Sequence, residues 1–180
     1  MNVALLLAAG ASTRFGSPKQ VSSWRGEPLV ASVAKELAAA GARVVVVTGA
    51  HDALVRRALQ GLDVDVCFAE RWAAGPGASI KAGLSAVPKG ASAVLVTLCD
   101  LPHVTREDYR RLLEAPGPLA AAAFDGTVGA PAVFRAPFLE RLAALDDGAG
   151  ARRLLQAHRA LVTAVECPAA ALDLDVPEAR

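Results

Sequence analysis

The chain has 180 residues, of which 53% are hydrophobic and 4% aromatic, and its formal net charge is +1. This length predicts one packed α/β domain over residues 1–180, because two domains of ordinary size would need a longer chain. The mixed signs of charge give no broad basic surface, which argues against nucleic acid and membranes as partners. No apolar stretch reaches the roughly 18 residues expected of a membrane-spanning helix.

The cysteines and the first apolar segment indicate where the protein resides. Cys67, Cys99 and Cys167 lack metal-ligand spacing, and the first two lie at the ends of apolar runs. We therefore expect buried free thiols in a reducing compartment. Residues 3–9 have no basic region before them and run directly into a glycine, unlike a secretion signal. These features predict a cytoplasmic protein.

The hydrophobic pattern predicts strands that alternate with helices over the first two thirds of the chain. Short apolar runs indicate buried strands, and apolar residues three or four positions apart indicate helices. The predicted strands are residues 3–7, 43–48, 64–68 and 93–98, and the predicted helices are residues 28–40, 51–60, about 78–86 and 105–114. Thr105 and Asp108 resemble a capping box at the start of the last helix. This alternation is typical of a parallel sheet with right-handed crossovers.

The last third of the chain has a different pattern. Apolar runs at residues 118–124 and 128–134 flank Asp125 and Gly126, which is a hairpin signal, so we expect an antiparallel element at the sheet edge. Short helices are predicted at residues 137–145 and 151–158, followed by a strand at residues 161–167. The whole pattern predicts an α/β fold with a mostly parallel sheet.

The loop after the first predicted strand has the features of a phosphate-binding loop. The small residues Ala8, Ala9 and Gly10 let a ligand approach the backbone and expose N–H donors to anionic oxygens. Arg14 adds a planar fork of donors, and Lys19 adds a compact positive charge. The spacing fits neither a P-loop nor the glycine pattern of dinucleotide-binding folds. From these residues alone, Arg14 and Lys19 are equally compatible with ordinary surface charges.

Carboxylates follow the fourth predicted strand and recur near the end of the chain. Asp100 directly follows that strand, and ligands of open parallel sheets bind beyond the carboxyl ends of the strands. A carboxylate there, facing a triphosphate, suits Mg²⁺, which takes hard oxygen ligands. The alternative is a helix-capping or turn aspartate before Pro102. Asp173 and Asp175 lie on one side of an extended segment, and either of them would complete a metal site with Asp100.

Residues 7–19, with the pattern L-A-A-G-x-S-x-R-F-G-x-x-K, resemble the nucleotide-binding loop of nucleotidyltransferases with the GT-A-like fold. The similarity is greatest to the molybdenum cofactor cytidylyltransferase branch of the MobA-like family. Further segments resemble motifs of this family in the same order and extend the resemblance over nearly the whole chain. They are residues 75–80, 129–134, 150–155 and the acidic segment 172–178.

The resemblance implies a three-layer α/β/α fold and a Mg²⁺-dependent nucleotidyltransferase. It assigns catalysis to Arg14, Lys19 and Asp100. It assigns metal binding to Asp100 and Asp175, because the metal-associated acid of the family aligns with Asp175. Nucleotide binding is assigned to Leu7, Ala8, Ala9, Gly10, Arg14, Lys19, Gly77 and Ser79. Acceptor binding is assigned to Gly129, Pro131 and Arg152.

The substrates are also implied by the resemblance. Ala9 resembles the pyrimidine-using members, whereas guanylyltransferase relatives tend to carry a second glycine at this position, which leaves more room for a purine. The implied reaction transfers CMP from CTP to the phosphate of molybdopterin and releases pyrophosphate. CTP or another nucleoside triphosphate and a molybdopterin-type phosphate acceptor are the expected partners. A molybdoenzyme or its maturation chaperone is the implied protein partner, with direct contact left open.

This chain departs from the family pattern at three places. Ala130 stands where the family often has histidine, and Pro76 stiffens the Gly75–Gly77 turn, where the family has a freer residue. Asp147 and Gly148 reverse the usual Gly-Asp order, so this carboxylate is expected to point elsewhere. Two alternatives therefore stay open. One is transfer to another phosphate acceptor, such as a sugar or polyol phosphate, and the other is a non-catalytic protein that delivers the cofactor to an apo-enzyme.

Overall fold

The computed structural model describes residues 1–13 and 15–174, and its central feature is a seven-stranded sheet. The strands are β1 (Asn2–Ala8), β2 (Ser23–Trp24), β3 (Glu27–Pro28), β4 (Arg43–Thr48), β5 (Asp65–Phe68), β6 (Ala93–Leu98), β7 (Leu119–Phe124), β8 (Thr127–Phe134) and β9 (Val162–Glu166). The helices are α1 (Leu29–Ala39), α2 (Asp52–Ala58), α3 (Pro76–Ser85), α4 (Arg106–Glu114), α5 (Phe138–Ala143) and α6 (Ala151–Ala157). Short 3₁₀ turns occur at Lys19–Val21, Trp72–Ala74, Arg159–Leu161 and Pro168–Ala171.

The main sheet is mostly parallel, as predicted, with the strand order β5-β4-β1-β6-β8-β7-β9. Only β8 runs against its neighbours among these strands, because it pairs antiparallel with both β6 and β7, whereas the other pairings are parallel. The prediction that the antiparallel element lies at the sheet edge was wrong. The last four residues of β8 are buried, which suits an interior strand, whereas β9 is half-exposed and forms the edge.

Two apolar cores lie on the two faces of the sheet, and together they make the three-layer architecture. Successive side chains of a strand point to opposite faces. Ala4 and Leu6 of β1 accordingly pack in the core formed with α1, α2 and α4. Val3 and Leu5 pack in the second core, formed with α3, α5 and α6. The three-layer α/β/α prediction is confirmed.

Local sequence signals explain where several elements begin. Thr105 caps α4, and its side chain and that of Asp108 form the predicted reciprocal capping box. Helix α3 begins at Pro76, two residues earlier than predicted, because proline is favoured in the first turn of a helix. The separate β2–β3 ribbon was not predicted. It turns at Arg25 and Gly26, which both have positive φ.

The three cysteines are free, but their burial differs. Cys99 and Cys167 are buried as expected, whereas Cys67 is only partly buried. The expectation for Cys67 was wrong because it lies on β5, which forms one edge of the sheet and has no fully buried residue. Within the part of the chain that the structure describes, no helix has the length and apolar character needed to cross a membrane.

The strand register brings three loops to one edge of the sheet. Leu7 of β1 pairs with Leu98 of β6, and Ala8 pairs with Thr48 of β4, so the carboxyl ends of these three strands are level. β4 and β6 lie on opposite sides of β1, and the chain therefore changes direction across the sheet at β1. Such a switch point opens a crevice between the loops that leave the strands, which is where ligands of these folds bind.

Candidate active site

A cavity of about 440 Å³ lies at this crevice, between the loops that follow β1 and β6. It is bounded on the far side by the turn that leads into α3. The predicted nucleotide and metal residues that line it are Leu7, Ala8, Ala9, Gly10, Lys19, Ser79 and Asp100. Trp72 and Gln20, which were not predicted as site residues, also line this cavity.

The buried side chain of Gln20 fixes the conformation of the loop after β1 through hydrogen bonds. Its side chain is 5% exposed, and its Nε2 donates to the carbonyl oxygens of Ala8 at 3.2 Å and Gly10 at 2.7 Å. Its Oε1 accepts a hydrogen bond from Ser12 Oγ at 3.2 Å, and Ser12 Oγ in turn accepts from the backbone amide of Lys19 at 3.1 Å. One buried amide side chain therefore joins both ends of the loop. The polar residue directly after Lys19 was the only sequence signal for this role.

The other carbonyl groups of the loop are also hydrogen-bonded. Ala9 O accepts from the amide of Ala50 at 3.0 Å, and Ala11 O lies 3.0 Å from His51 Nε2. Because a carbonyl oxygen can only accept, this contact places the His51 proton on Nε2. Ser12 O accepts from the amide of Phe15 at 3.0 Å. All five carbonyl groups of residues 8–12 are therefore turned towards the protein.

The backbone amides of the same loop are left available. Those of Gly10, Ala11 and Ser12 donate no hydrogen bond to any residue that the structure describes. Gly10 is exposed, and Ala11 and Ser12 are partly exposed. A loop whose acceptors are all satisfied and whose donors are not presents positive dipoles to a ligand. This arrangement favours an anion with several oxygens, such as a phosphate chain.

Lys19 and Asp100 meet across the cavity floor. Lys19 Nζ lies 3.3 Å from Asp100 Oδ2, and the two side chains are 17% and 28% exposed. Among the described residues, Asp100 Oδ1 is the buried side-chain oxygen that has no hydrogen-bond partner. The adjacent Cys99 is buried, and burial together with the charge of Asp100 raises the pKa of its thiol. One oxygen of Asp100 is thus paired with a cation and the other is unsatisfied.

An unsatisfied buried carboxylate oxygen is costly unless a cation or a donor binds it. Asp100 Oδ1 therefore fits the role of a ligand to a hard divalent cation. Within residues 1–13 and 15–174, no group of three or more acidic, histidine or cysteine side chains forms a complete metal site. Asp175, the predicted second ligand, and Arg14, a predicted triphosphate ligand, both lie outside the described residues.

A second cavity of about 470 Å³ adjoins the first. The two share Leu7, Pro76, Leu98 and Asp100, so Asp100 stands at their boundary. The predicted acceptor residues Gly129 and Arg152 line the second cavity, and so does Asp173. Pro131 does not line it, although its neighbours Ala130 and Ala132 do. Apart from Arg152, the basic side chains of the described chain stay outside this lining, and Arg152 donates to Thr127 Oγ1 at 3.0 Å.

The two predicted residues of the turn into α3 have different surroundings. Ser79 is 5% exposed and lines the first cavity from the fourth position of the helix. Gly77 does not line either cavity. A Cβ atom added to Gly77 would lie 2.1 Å from Asp146 O, so this glycine permits close packing of two chain segments. Gly77 was assigned to the nucleotide through the family resemblance, and its packing partner could not be read from the sequence because that segment is distant in the chain.

Comparison with known proteins places this geometry among nucleotidyltransferase folds. The chain is 33% identical over 112 residues to a probable molybdenum cofactor guanylyltransferase of Bacillus cereus strain G9842, an alignment covering 61% of this chain and 54% of that protein. The chain therefore spans about half the length of the curated relatives it matches.

Solved structures match nearly the whole chain. The crystal structure of Rv0371c from Mycobacterium tuberculosis H37Rv has a TM-score of 0.84 and 27% identity, covering 97% of this chain and 93% of that one. A manganese complex of Rv0371c matches with a TM-score of 0.79 and 24% identity, covering 98% and 90% of the two chains. The family model described as the MobA-like NTP transferase domain matches residues 4–162, and the chain therefore belongs to this family.

Proposed function

We propose that this protein transfers a nucleoside monophosphate, CMP from CTP, to the phosphate of a molybdopterin-type acceptor. An oxygen of the acceptor phosphate bonds to the α-phosphorus of the triphosphate, the bond from that phosphorus to the bridging oxygen breaks, and pyrophosphate leaves. The observation that carries this proposal is the loop of residues 8–12, whose carbonyls are hydrogen-bonded within the protein while the amides of Gly10, Ala11 and Ser12 donate to no described residue.

Positioning and charge neutralisation are sufficient for this chemistry, because the attacking phosphate is already an anion. The amides of Gly10, Ala11 and Ser12 would hold phosphate oxygens at the first cavity. Lys19, together with Arg14, would neutralise the negative charge that develops on the leaving pyrophosphate. The acceptor would occupy the second cavity, with Arg152 as the cation for its phosphate. The shared wall at Asp100 supports this arrangement of two substrates in adjoining cavities.

Asp100 and Asp175 would hold a divalent cation, proposed to be Mg²⁺, at the boundary of the two cavities. The bound cation would supply charge neutralisation between the two phosphate groups. The unsatisfied oxygen of Asp100 supports this role, and the manganese complex of the similar Rv0371c is consistent with a divalent ion.

The preference for CTP rests on Ala9. Ala9 is 6% exposed and lines the first cavity, and a glycine at this position would leave more room for a larger base. Curated relatives from Bacillus cereus are described as probable molybdenum cofactor guanylyltransferases, which makes the comparison of CTP with GTP the sharpest test of the proposal.

The experiment is a pyrophosphate-release assay with purified protein, Mg²⁺, molybdopterin and each of the four ribonucleoside triphosphates in turn. Release with CTP and not GTP is the expected result. Comparable initial rates with CTP and GTP would overturn the base assignment and leave the reaction class intact. Nucleotide binding without release would contradict the molybdopterin reaction, and sugar or polyol phosphates would then be tried as acceptors.

A further inference from the structure

The loop between α5 and α6 packs against the start of α3 without intervening side chains. This segment, residues 146–150, is called the α5–α6 loop below. A Cβ atom on Gly75 would lie 2.6 Å from Asp147 O, and one on Gly77 would lie 2.1 Å from Asp146 O. Since neither glycine has room for a side chain, the two backbones are in direct contact.

Within the part of the chain that the structure describes, Asp147 supplies the hydrogen bond and ion pairs across this junction. Asp147 O accepts a hydrogen bond from the amide of Ala78 at 3.2 Å. The Asp147 carboxylate also forms ion pairs with Lys81 Nζ at 2.5 Å and Arg71 Nη2 at 2.6 Å, and its side chain is 20% exposed. The hydrogen bond from Lys81, aided by the charge of Arg71, keeps the pKa of Asp147 below its usual value. The carboxylate is therefore ionised throughout the neutral range.

The segments joined in this way form walls of both cavities. Residues 72–79 contribute Trp72, Pro76 and Ser79 to the first cavity, and Pro76 also lines the second. The α5–α6 loop ends at Gly150, which lines the second cavity together with Arg152. The position of one wall therefore depends on the position of the other.

From this geometry we infer that Asp147 is a positioning residue that holds the nucleotide-facing turn 72–79 against the acceptor-facing α5–α6 loop. This inference rests on the proposed function, because it assigns the first cavity to a nucleoside triphosphate and the second to the acceptor. Asp147 touches neither substrate cavity directly, and it acts through Arg71, Lys81 and the amide of Ala78.

The test compares Asp147→Asn with Asp146→Asn as a matched control. Asp146 is the neighbouring acid, its side chain is 83% exposed, and its ion pair with Arg153 is longer, at 3.4 Å. Asp147→Asn is expected to raise the dissociation constant of CTP about three- to fivefold, as measured by calorimetry, since partly exposed ion pairs contribute modestly. The melting temperature should stay within about 3 °C of the parent value. Asp147→Glu should recover at least half of the affinity.

In the turnover assay, Asp147→Asn should raise KM for both CTP and the acceptor while leaving kcat at saturation nearly unchanged. An unchanged dissociation constant in Asp147→Asn, or an equal rise in Asp146→Asn, would overturn the inference. Should Asp147→Asn not fold, Lys81→Met breaks the same contact from the other side and must raise the dissociation constant for the inference to stand.

The failure of the proposed function can be distinguished from the failure of this inference. If the parent protein binds CTP but releases no pyrophosphate, the proposed reaction fails while the binding comparison still decides the role of Asp147. If the parent protein turns over and the variant binds CTP equally well, the inference fails alone. If the parent protein binds no nucleoside triphosphate, both fail together.

Discussion

At the scale of single residues, Asp100 carries the largest expected effect on turnover. Asp100→Asn keeps the size of the side chain and removes the charge that faces Lys19 and the proposed cation. We expect pyrophosphate release to fall at least about 10²-fold, the usual cost of losing a group that stabilises developing charge. The fold should persist, because within the described residues the substitution weakens one partly exposed side-chain contact, that with Lys19. Circular dichroism and a melting curve check the fold.

The control for this prediction is Asp63→Asn, which removes the same charge from an exposed residue before β5. It should leave both turnover and stability at the parent values. Full activity in Asp100→Asn would show that neither the metal nor the charge assignment of Asp100 is correct.

Gln20 should matter for stability as well as for binding. In Gln20→Leu, the carbonyls of Ala8 and Gly10 lose their donor, and Ser12 Oγ loses its acceptor. We expect the free energy of unfolding to fall by about 1–3 kcal/mol, the cost of leaving buried polar groups unsatisfied. Urea denaturation measures this change. Ser12→Ala removes one contact with Gln20 and the acceptor of the Lys19 amide, both partly buried, and should cost less. Equal losses in the two variants would contradict the central role of Gln20.

The sequence predicted the role of Lys19 in the site but not that of its neighbour Gln20. Lys19 and Asp100 were predicted in one site because the carboxyl ends of parallel strands meet at one sheet edge, and the structure brings them within 3.3 Å. Gln20 binds backbone carbonyls, and the identity of those partners depends on the loop conformation rather than on any residue spacing. Its role therefore became visible only in the structure.

At the scale of elements, the glycines of two loops should respond differently to the same substitution. In Gly77→Ala, the new methyl group would meet backbone oxygens of Asp146 at 2.1 Å and Ala149 at 2.8 Å. We expect a loss of about 1–3 kcal/mol in the free energy of unfolding, typical of overpacking. In Gly10→Ala, no heavy atom lies within 4 Å of the methyl group, so stability should be unchanged.

Gly10 also lines the first cavity, and its substitution should therefore weaken CTP binding even though the fold is intact. We expect the dissociation constant of CTP to rise at least about fivefold, which corresponds to a loss of about 1 kcal/mol of binding free energy through conflict between the new methyl group and the nucleotide. Calorimetry on Gly10→Ala and chemical denaturation of both variants separate the packing role from the binding role. A stable Gly77→Ala protein would contradict the close packing of the α5–α6 loop on α3.

Helix α4 gives a prediction about pH. Burial raises the pKa of Asp108, but hydrogen bonds from Thr105 and Arg111 outweigh it, and the net pKa lies below the usual value. A carboxyl with a lower pKa in the folded state stabilises the fold above its unfolded pKa of about 3.9 and loses this contribution as the pH falls. Asp108→Asn should therefore be less stable than the parent at pH 7, and the gap should narrow below about pH 4 in urea titrations. A gap independent of pH would contradict this.

The positions of the strands and helices in the sequence were largely predictable. The order of the strands in the sheet was less predictable. Aliphatic runs such as that of β4 specify a buried strand locally, so β1, β4, β5 and β6 appear close to their predicted bounds. The hairpin at Asp125 and Gly126 also forms as predicted. The sequence does not state which strand a hairpin joins, and β8 inserts beside β6 because both are buried on two faces.

At the scale of the whole molecule, the chain reaches the sheet edge at β9 and then returns to the loop after β6, near the middle of the sheet. β9 is the last strand and lies at the edge, three positions away from β6. The following segment passes through the turn Pro168–Ala171, and the amide of Leu174 then donates to Asp100 O at 2.9 Å. Asp173, one residue earlier, lines the second cavity. The hydrophobic pattern does not give the path of this return, although the acidic residues 173 and 175 were expected to join Asp100.

The return gives the final prediction, which concerns Asp175, the residue after Leu174. Because Leu174 is bonded to the backbone of Asp100, the chain reaches the proposed metal site just before Asp175. Asp175→Asn should raise the Mg²⁺ concentration for half-maximal pyrophosphate release at least about tenfold, since metal sites lose this much even when supporting groups are removed. Asp173→Asn should raise it less, and a larger effect of Asp173→Asn would transfer the metal assignment to Asp173. Saturating Mg²⁺ should restore most of the turnover in Asp175→Asn but not in Asp100→Asn, because Asp100 also faces Lys19.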